Sequence, residues 1–224
     1  MVVGGSSGIG LFIAERMARR GDGVVLTSRD QGRADAAAGQ VGDGCRGIGL
    51  DLARPETIEE AVADLGPLDH LVITAMEQGA NRFATFDTLA ATVAVTVKLV
   101  GYTETVRALR SRLNPGGSVV LFGGVAKDRP SPGSMMVTAF NGGVNALVKS
   151  LAIELAPHRV NAVHPGVVGD SPKWRHVPDH PQVPRTPIGR LVTMHEVADA
   201  TDFLLTNGGI NGQNLEINGG VLLT

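Results

Sequence analysis

Short apolar runs alternate along the chain with stretches in which apolar side chains recur every three or four positions, a rhythm that predicts βαβ units on a parallel sheet. Residues 1–3 predict a first strand, and residues 11–20 a helix whose inner face carries Ile13, Ala14 and Met17. Strands two to four are expected at residues 24–27, 47–50 and 70–73. Their continuous apolar character suits strands covered on both faces. A long helix is predicted over residues 89–113, stopped by Asn114-Pro115-Gly116-Gly117, followed by a strand at 118–122. A second long helix at 134–156 ends before Pro157, and a strand at 160–163, a helix at 196–205 and a strand at 214–217 complete the series.

Two places depart from the rhythm. Only three residues precede the first glycine cluster, so the opening strand is either short or continues upstream. Residues 169–189 gather Pro172, Pro178, Pro181, Pro184 and Pro187 after the sixth strand. A loop this long in a compact fold reads as a substrate loop or lid at the carboxyl edge of the sheet, with a disordered insertion as the bland alternative.

Composition narrows the function classes. The 224 residues, 43% of them hydrophobic, suffice for a single domain spanning 1–224. A net charge of −2 gives no basic surface for nucleic acid or anionic membrane. The lone Cys45 excludes an internal disulfide and fits a reducing cytosol. No unbroken apolar run reaches the roughly 18 residues of a membrane span, and the N-terminal residues lack signal-peptide character. A cytoplasmic location is therefore expected. No spacing among the histidines suggests a metal site.

The chemistry-bearing motif is Gly4-Gly5-Ser6-Ser7-Gly8-Ile9-Gly10, placed between a strand and a helix. Glycines there let a backbone approach a pyrophosphate, and the helix N-terminus presents free N–H groups to it. Ser28-Arg29 ends strand two without an acid to meet a ribose 2′-hydroxyl, and an Arg there accommodates a 2′-phosphate, although Asp30 follows at once. Asp51-Leu52 follows strand three, Leu151-Ala152-Ile153-Glu154-Leu155-Ala156-Pro157 closes the second long helix, and Arg159-Val160-Asn161-Ala162-Val163-His164-Pro165-Gly166 contains strand six.

Together these motifs resemble the short-chain dehydrogenase/reductase family over nearly the whole chain. The resemblance implies a single doubly wound, Rossmann-like α/β sheet and a nicotinamide dinucleotide, with NADP(H) expected ahead of NAD(H). It implies cofactor contacts from Gly4, Ser6, Ser7, Gly8, Ile9, Gly10, Ser28, Arg29, Asp51, Leu52, Ala75, Asn141, Pro165 and Gly166. Asp51 has a second reading as a helix N-cap. The implied partners are a small-molecule substrate and further copies of the chain, in a homodimer or homotetramer built on the long helices and the last strand and helix.

The chain departs from the family where its chemistry sits. Phe122-Gly123-Gly124-Val125-Ala126 resembles the family's Ile-Ser-Ser-Val-Ala, which places Gly124 at the catalytic Ser, Val137 at the Tyr and Asn141 at the Lys. The family's Asn-Asn-Ala-Gly reads Ile73-Thr74-Ala75-Met76, and Lys98 stands at the fourth catalytic position, an Asn. The only tyrosine is Tyr102. Candidate replacements are Lys98, as a depressed-pKa amine or a structural charge; His164, as an acid–base group or a core side chain; and Asp170, beside the cofactor or capping the lid. Trp174, His176 and His180 are candidate pocket-lining residues, and Glu77 and Asn81 candidate cleft residues. Three functions follow. One is an enzyme with non-standard chemistry, lyase-type or with a relocated proton donor, acting on a small carbonyl or hydroxyl compound. Another is an inactive NADP(H)-binding sensor, scaffold or partner subunit, and the last a ketoreductase using water as its acid. The retained lid favours the first.

Overall fold

The computed structural model describes residues 1–77 and 82–224. Asn81 lies outside the described residues. Strands β1 (Val2–Val3), β2 (Val24–Ser28), β3 (Cys45–Gly49), β4 (Leu68–Ile73), β5 (Leu113–Phe122), β6 (Arg159–Pro165) and β7 (Asn214–Ile217) form one sheet in the order β3-β2-β1-β4-β5-β6-β7. Every pairing is parallel. This is the doubly wound α/β sheet expected from the alternating pattern. The chain order reverses between β1 and β4, where Val2 pairs with Leu26 on one side and Val72 on the other.

Side chains of consecutive strand residues go to opposite faces. Leu71, Ile73, Val119 and Leu121 pack with Tyr102, Val144 and Val148 beneath helices α3 (Ile58–Ala61), α4 (Thr88–Val95), α5 (Tyr102–Leu109) and α6 (Met135–Glu154). Val2, Val72, Val120 and Val163 face the other way, toward α1 (Gly8–Arg19), α2 (Gln31–Val41) and α7 (Met194–Thr206). Ile13, Ala14 and Met17 form the buried face of α1, as its periodicity predicts. A capping box starts α7: the Thr193 hydroxyl accepts the Glu196 N–H, and the Glu196 carboxylate accepts the Thr193 N–H at 2.8 Å.

Three features differ from the sequence expectations. The α2 helix arises where no element is anticipated, N-capped by Asp30. The long helix after β4 is not uniform, because a π-helical segment, Thr96–Gly101, joins α4 to α5. Strand β5 begins at Leu113, running through Asn114-Pro115-Gly116-Gly117 with a register irregularity opposite Leu68 and His70. Two helical stretches, Thr88–Arg112 and Met135–Glu154, are also long and apolar enough by average composition to cross a membrane, although neither is an unbroken apolar run. Each lays one face on the sheet.

Candidate nucleotide-binding site

The glycine loop occupies the point of reversal. Gly4 has φ +80°, and a Cβ on Gly10 would lie 2.3 Å from the Gly4 carbonyl oxygen and 2.5 Å from Thr74 Oγ1, so the turn closes only without a side chain there. Gly8, at φ +55°, has nothing within 4 Å of the position a Cβ would take. Its glycine is demanded by backbone conformation, and the space beside it is open. The first helical bond of α1 runs from Leu11 N to Ser7 O at 3.2 Å, which leaves the N–H groups of the first turn without helical partners. Ser7, the N-cap, makes no side-chain cap bond. Free donors at the positive end of a helix, next to open space, fit a pyrophosphate.

Thr74, which the sequence marks only as a departure from Asn, ties this corner together. Its hydroxyl lies 3.1 Å from the Val3 carbonyl and 3.2 Å from the Gly4 carbonyl, and the Gly4 N–H donates to Thr27 Oγ1 at 3.2 Å.

At the end of β2, Ser28 is buried and Arg29 exposed. Arg29 Nη1 donates to Glu77 Oε2 at 2.8 Å. Asp30 caps α2, its carboxylate accepting the Arg33 N–H at 2.9 Å, and makes no ion pair with Arg29 among the described residues. Asp51 accepts the Ala53 N–H at 3.0 Å in a local turn rather than at a helix N-cap, since the short helix that follows, Pro55–Thr57, is preceded by Arg54. Leu52 is buried against Gly101, where a Cβ would come within 2.7 Å of the Leu52 Cβ. Met76 points largely into solvent, 51% exposed.

Beyond β5 the side chains are sparse. A Cβ on Gly124 would lie 3.1 Å from Asn141 Nδ2, so positions 124 and 141 face each other. Asn141 is buried. Val137 is half-buried one turn earlier on α6. Pro165 ends β6, and the N–H of Gly166, next in the chain, donates to the Ile217 carbonyl at 2.9 Å.

The candidate acid–base residues are engaged within the fold. Lys98 sits in the π-helical segment and is 3% exposed, not in a partly open cleft. Its Nζ donates to Tyr102 Oη at 2.8 Å and lies 4.8 Å from the ring centre and 3.5 Å from the Ala75 carbonyl. Tyr102 in turn donates to the Ala75 carbonyl at 2.8 Å. Burial lowers the Lys98 pKa to about 7 and pushes that of Tyr102 well up. The Lys98–Tyr102 pair thus clamps the chain leaving β4 from behind.

His164 is fully enclosed. Its Nδ1 accepts the Gly124 N–H at 3.1 Å, which places the proton on Nε2, and Nε2 donates to Asn214 Oδ1 at 2.8 Å. Burial holds its pKa below the ordinary value. Both ring nitrogens are committed, so His164 positions Gly124 rather than reaching a cleft. Asp170 is exposed and accepts the Met194 N–H at 2.8 Å, at the start of α7.

Residues 169–189 are held together from within. A parallel bridge between Val168 and Val192 closes the base. Trp174 meets His180 edge-to-face at 4.7 Å, His180 Nδ1 accepts the Gln182 N–H at 3.1 Å, and Lys173 Nζ lies over the indole at 4.9 Å. His180 is buried and His176 exposed beside Arg175. The aromatic and His180 order the loop itself.

Among the described residues no group of three His, Cys, Asp or Glu side chains could hold a metal. Clefts of about 820 Å³ beside α2 and β3 and about 540 Å³ beside Leu99 and Thr103 lie away from the glycine loop. The candidate site is therefore identified by backbone geometry and topology, not cavity size.

Residues 3–222 match the family described as enoyl-(acyl carrier protein) reductase. The mouse 3-oxoacyl-[acyl-carrier-protein] reductase is 32% identical over 236 residues, covering 100% of this chain and 97% of the relative. Among solved structures, a short-chain dehydrogenase/reductase of the glucose/ribitol dehydrogenase type from Brucella melitensis superposes with a TM-score of 0.89 at 27% identity, covering 98% of this chain and 94% of that one. The 3-ketoacyl-(acyl-carrier-protein) reductase from Brucella melitensis, crystallised with NADH, gives 0.86 at 26% identity over 98% and 96% of the two chains.

Proposed function

The chain belongs to the short-chain dehydrogenase/reductase family, and from that premise we propose that it binds NADP(H) across the carboxyl ends of β1, β2 and β4 and acts on a small carbonyl or hydroxyl compound without the family's Ser-Tyr-Lys set. When bound, the nicotinamide would supply or accept a hydride. In this reading residues 4–10 cradle the pyrophosphate, Ser28 and Arg29 receive the 2′-phosphate, and Asp51 and Leu52 border the adenine. Ala75, Asn141, Pro165 and Gly166 line the nicotinamide end, and residues 169–189 cover the substrate. The names of the relatives make a 3-oxoacyl thioester the first compound to test.

The observation that carries the non-standard chemistry is that positions 124 and 141 face each other, a Cβ on Gly124 being 3.1 Å from Asn141 Nδ2, with no side chain there able to exchange a proton. Gly124 has no side chain, Val137 is apolar, and Asn141 offers an uncharged amide to a ribose hydroxyl. Lys98 and Tyr102 act from behind, by holding the Ala75 carbonyl. A second reading, nucleotide binding without turnover, is favoured by the burial of Lys98 and His164.

Calorimetric titration is expected to show NADPH binding about tenfold more tightly than NADH, the usual worth of a charge-assisted contact to phosphate. Arg29→Ala should remove the preference for NADPH. Equal affinities in the unmodified protein, or no binding of either nucleotide, would refute the cofactor assignment.

Self-association is part of the same proposal. Val100 is 52% exposed and Ile153 78% exposed on long apolar helices, and an apolar surface of this kind favours burial against a second copy. Light scattering should return a homodimer or homotetramer, and a 23.3 kDa particle at micromolar concentration would refute it.

A further inference from the structure

Arg29 follows β2 and Glu77 follows β4, and β1 lies between those strands in the sheet. Their 2.8 Å ion pair therefore crosses the crevice at the reversal of strand order, above the carboxyl end of β1 where the glycine loop begins. The backbone leading to Glu77 is anchored: Thr74 bonds back to Val3, and the Ala75 carbonyl receives Tyr102 at 2.8 Å. Asp30 caps its own helix and forms no ion pair with Arg29 among the described residues. Glu77 is thus the carboxylate that meets Arg29.

We propose that Glu77 is a specificity-determining residue whose carboxylate occupies, on Arg29, the place a nucleotide 2′-phosphate would take. The proposal rests on the reading of Arg29 as the 2′-phosphate partner. Carboxylate and phosphate seek the same guanidinium donors. A 2′-phosphorylated dinucleotide must displace Glu77 or bind beside it, and either route opposes like charges in one crevice. A free 2′-hydroxyl carries no charge and can donate to the carboxylate. The site therefore holds two discriminators of opposite sign, and its preference for the phosphorylated cofactor is the surplus of Arg29 over Glu77.

The test titrates adenosine 2′,5′-bisphosphate and adenosine 5′-monophosphate into the unmodified protein, Glu77→Gln and Arg29→Ala. Glu77→Gln should raise the affinity for the bisphosphate relative to the monophosphate about three- to tenfold, as expected for a partly exposed charge. High salt should shrink the gain, a response that a merely structural role would not produce. If Arg29→Ala weakens the bisphosphate but Glu77→Gln leaves its affinity relative to the monophosphate unchanged or lower, the role of Glu77 is overturned while the cofactor assignment stands. If Arg29→Ala has no effect on the bisphosphate, the assignment of Arg29 falls and the proposal falls with it.

Discussion

Gly124→Ser, Val137→Tyr and Asn141→Lys, introduced together, should raise NADPH-dependent reduction of a 3-oxoacyl thioester by about 10²–10⁴-fold, the usual worth of general acid–base help. Reduction of a carbonyl builds negative charge on oxygen, which a hydroxyl must hold and a proton must quench. A tyrosine does this near neutrality only when a neighbouring ammonium lowers its pKa from about 10, so the Tyr and Lys changes depend on each other. The frame accepts the set. Gly124 has an extended backbone, φ −179° and ψ 154°, that any residue adopts, and Asn141, the neighbour its new side chain would meet, is itself replaced. Gly124→Ser alone should leave the rate unchanged. Steady-state NADPH oxidation measures both variants. Family-typical rates in the unmodified protein would show that positions 124, 137 and 141 are not the ones that matter.

Lys98→Met should stabilise the fold, most strongly in acid. An ammonium enclosed without a carboxylate partner costs free energy whenever it is charged in the folded state. Its pKa falls from 10.5 to about 7 because of burial. Below about pH 7 both folded and unfolded chains carry the proton, and the full penalty applies. Between 7 and 10.5 only the unfolded chain holds it, so stability climbs with pH; above 10.5 the penalty is gone. At 1.36 kcal/mol per pH unit the ceiling is about 5 kcal/mol, from which the lost bond to Tyr102 subtracts about 1. Urea melts at pH 6 and pH 9 should therefore show a gain of several kcal/mol that diminishes with pH. A destabilised variant at pH 6 would show that the clamp on Ala75 outweighs the desolvation of Lys98.

The strands were legible because their apolar runs are continuous, as in residues 71–73 and 119–122, and strands covered on both faces require that. The α2 helix was not. Its buried face is Ala34, Ala37 and Ala38, too small to mark a period, and Gly32 and Gly39 lower its helix propensity. Asn114-Pro115-Gly116-Gly117 reads as a stop by local preference, yet β5 spans it, because Leu113 pairs with Leu68 before the irregularity and Ser118 resumes the ladder opposite His70. At the site, the glycine loop was visible because its chemistry is local. The surroundings of Lys98, His164 and Asp170 were not, because their partners lie elsewhere in the chain or in its backbone. Asp170 meets Met194, and His164 meets Gly124 and Asn214. A lysine in a helix ordinarily signals solvent, and only the packing of the π-helical segment turns this one inward.

Gly123 and His164 also constrain how this site could change with time. A Cβ at position 123 would lie 2.3 Å from Cε1 and Nδ1 of an imidazole pinned at both nitrogens, so the ring has no free direction in which to yield. The route is one-way. Any substitution that adds a side chain at 123 is blocked while His164 stands, whereas shortening His164 first, at the expense of the Gly124 bond, opens the position. Accumulated mutations at the end of β5 must therefore arrive in a fixed order, with the histidine leaving before the glycine is replaced.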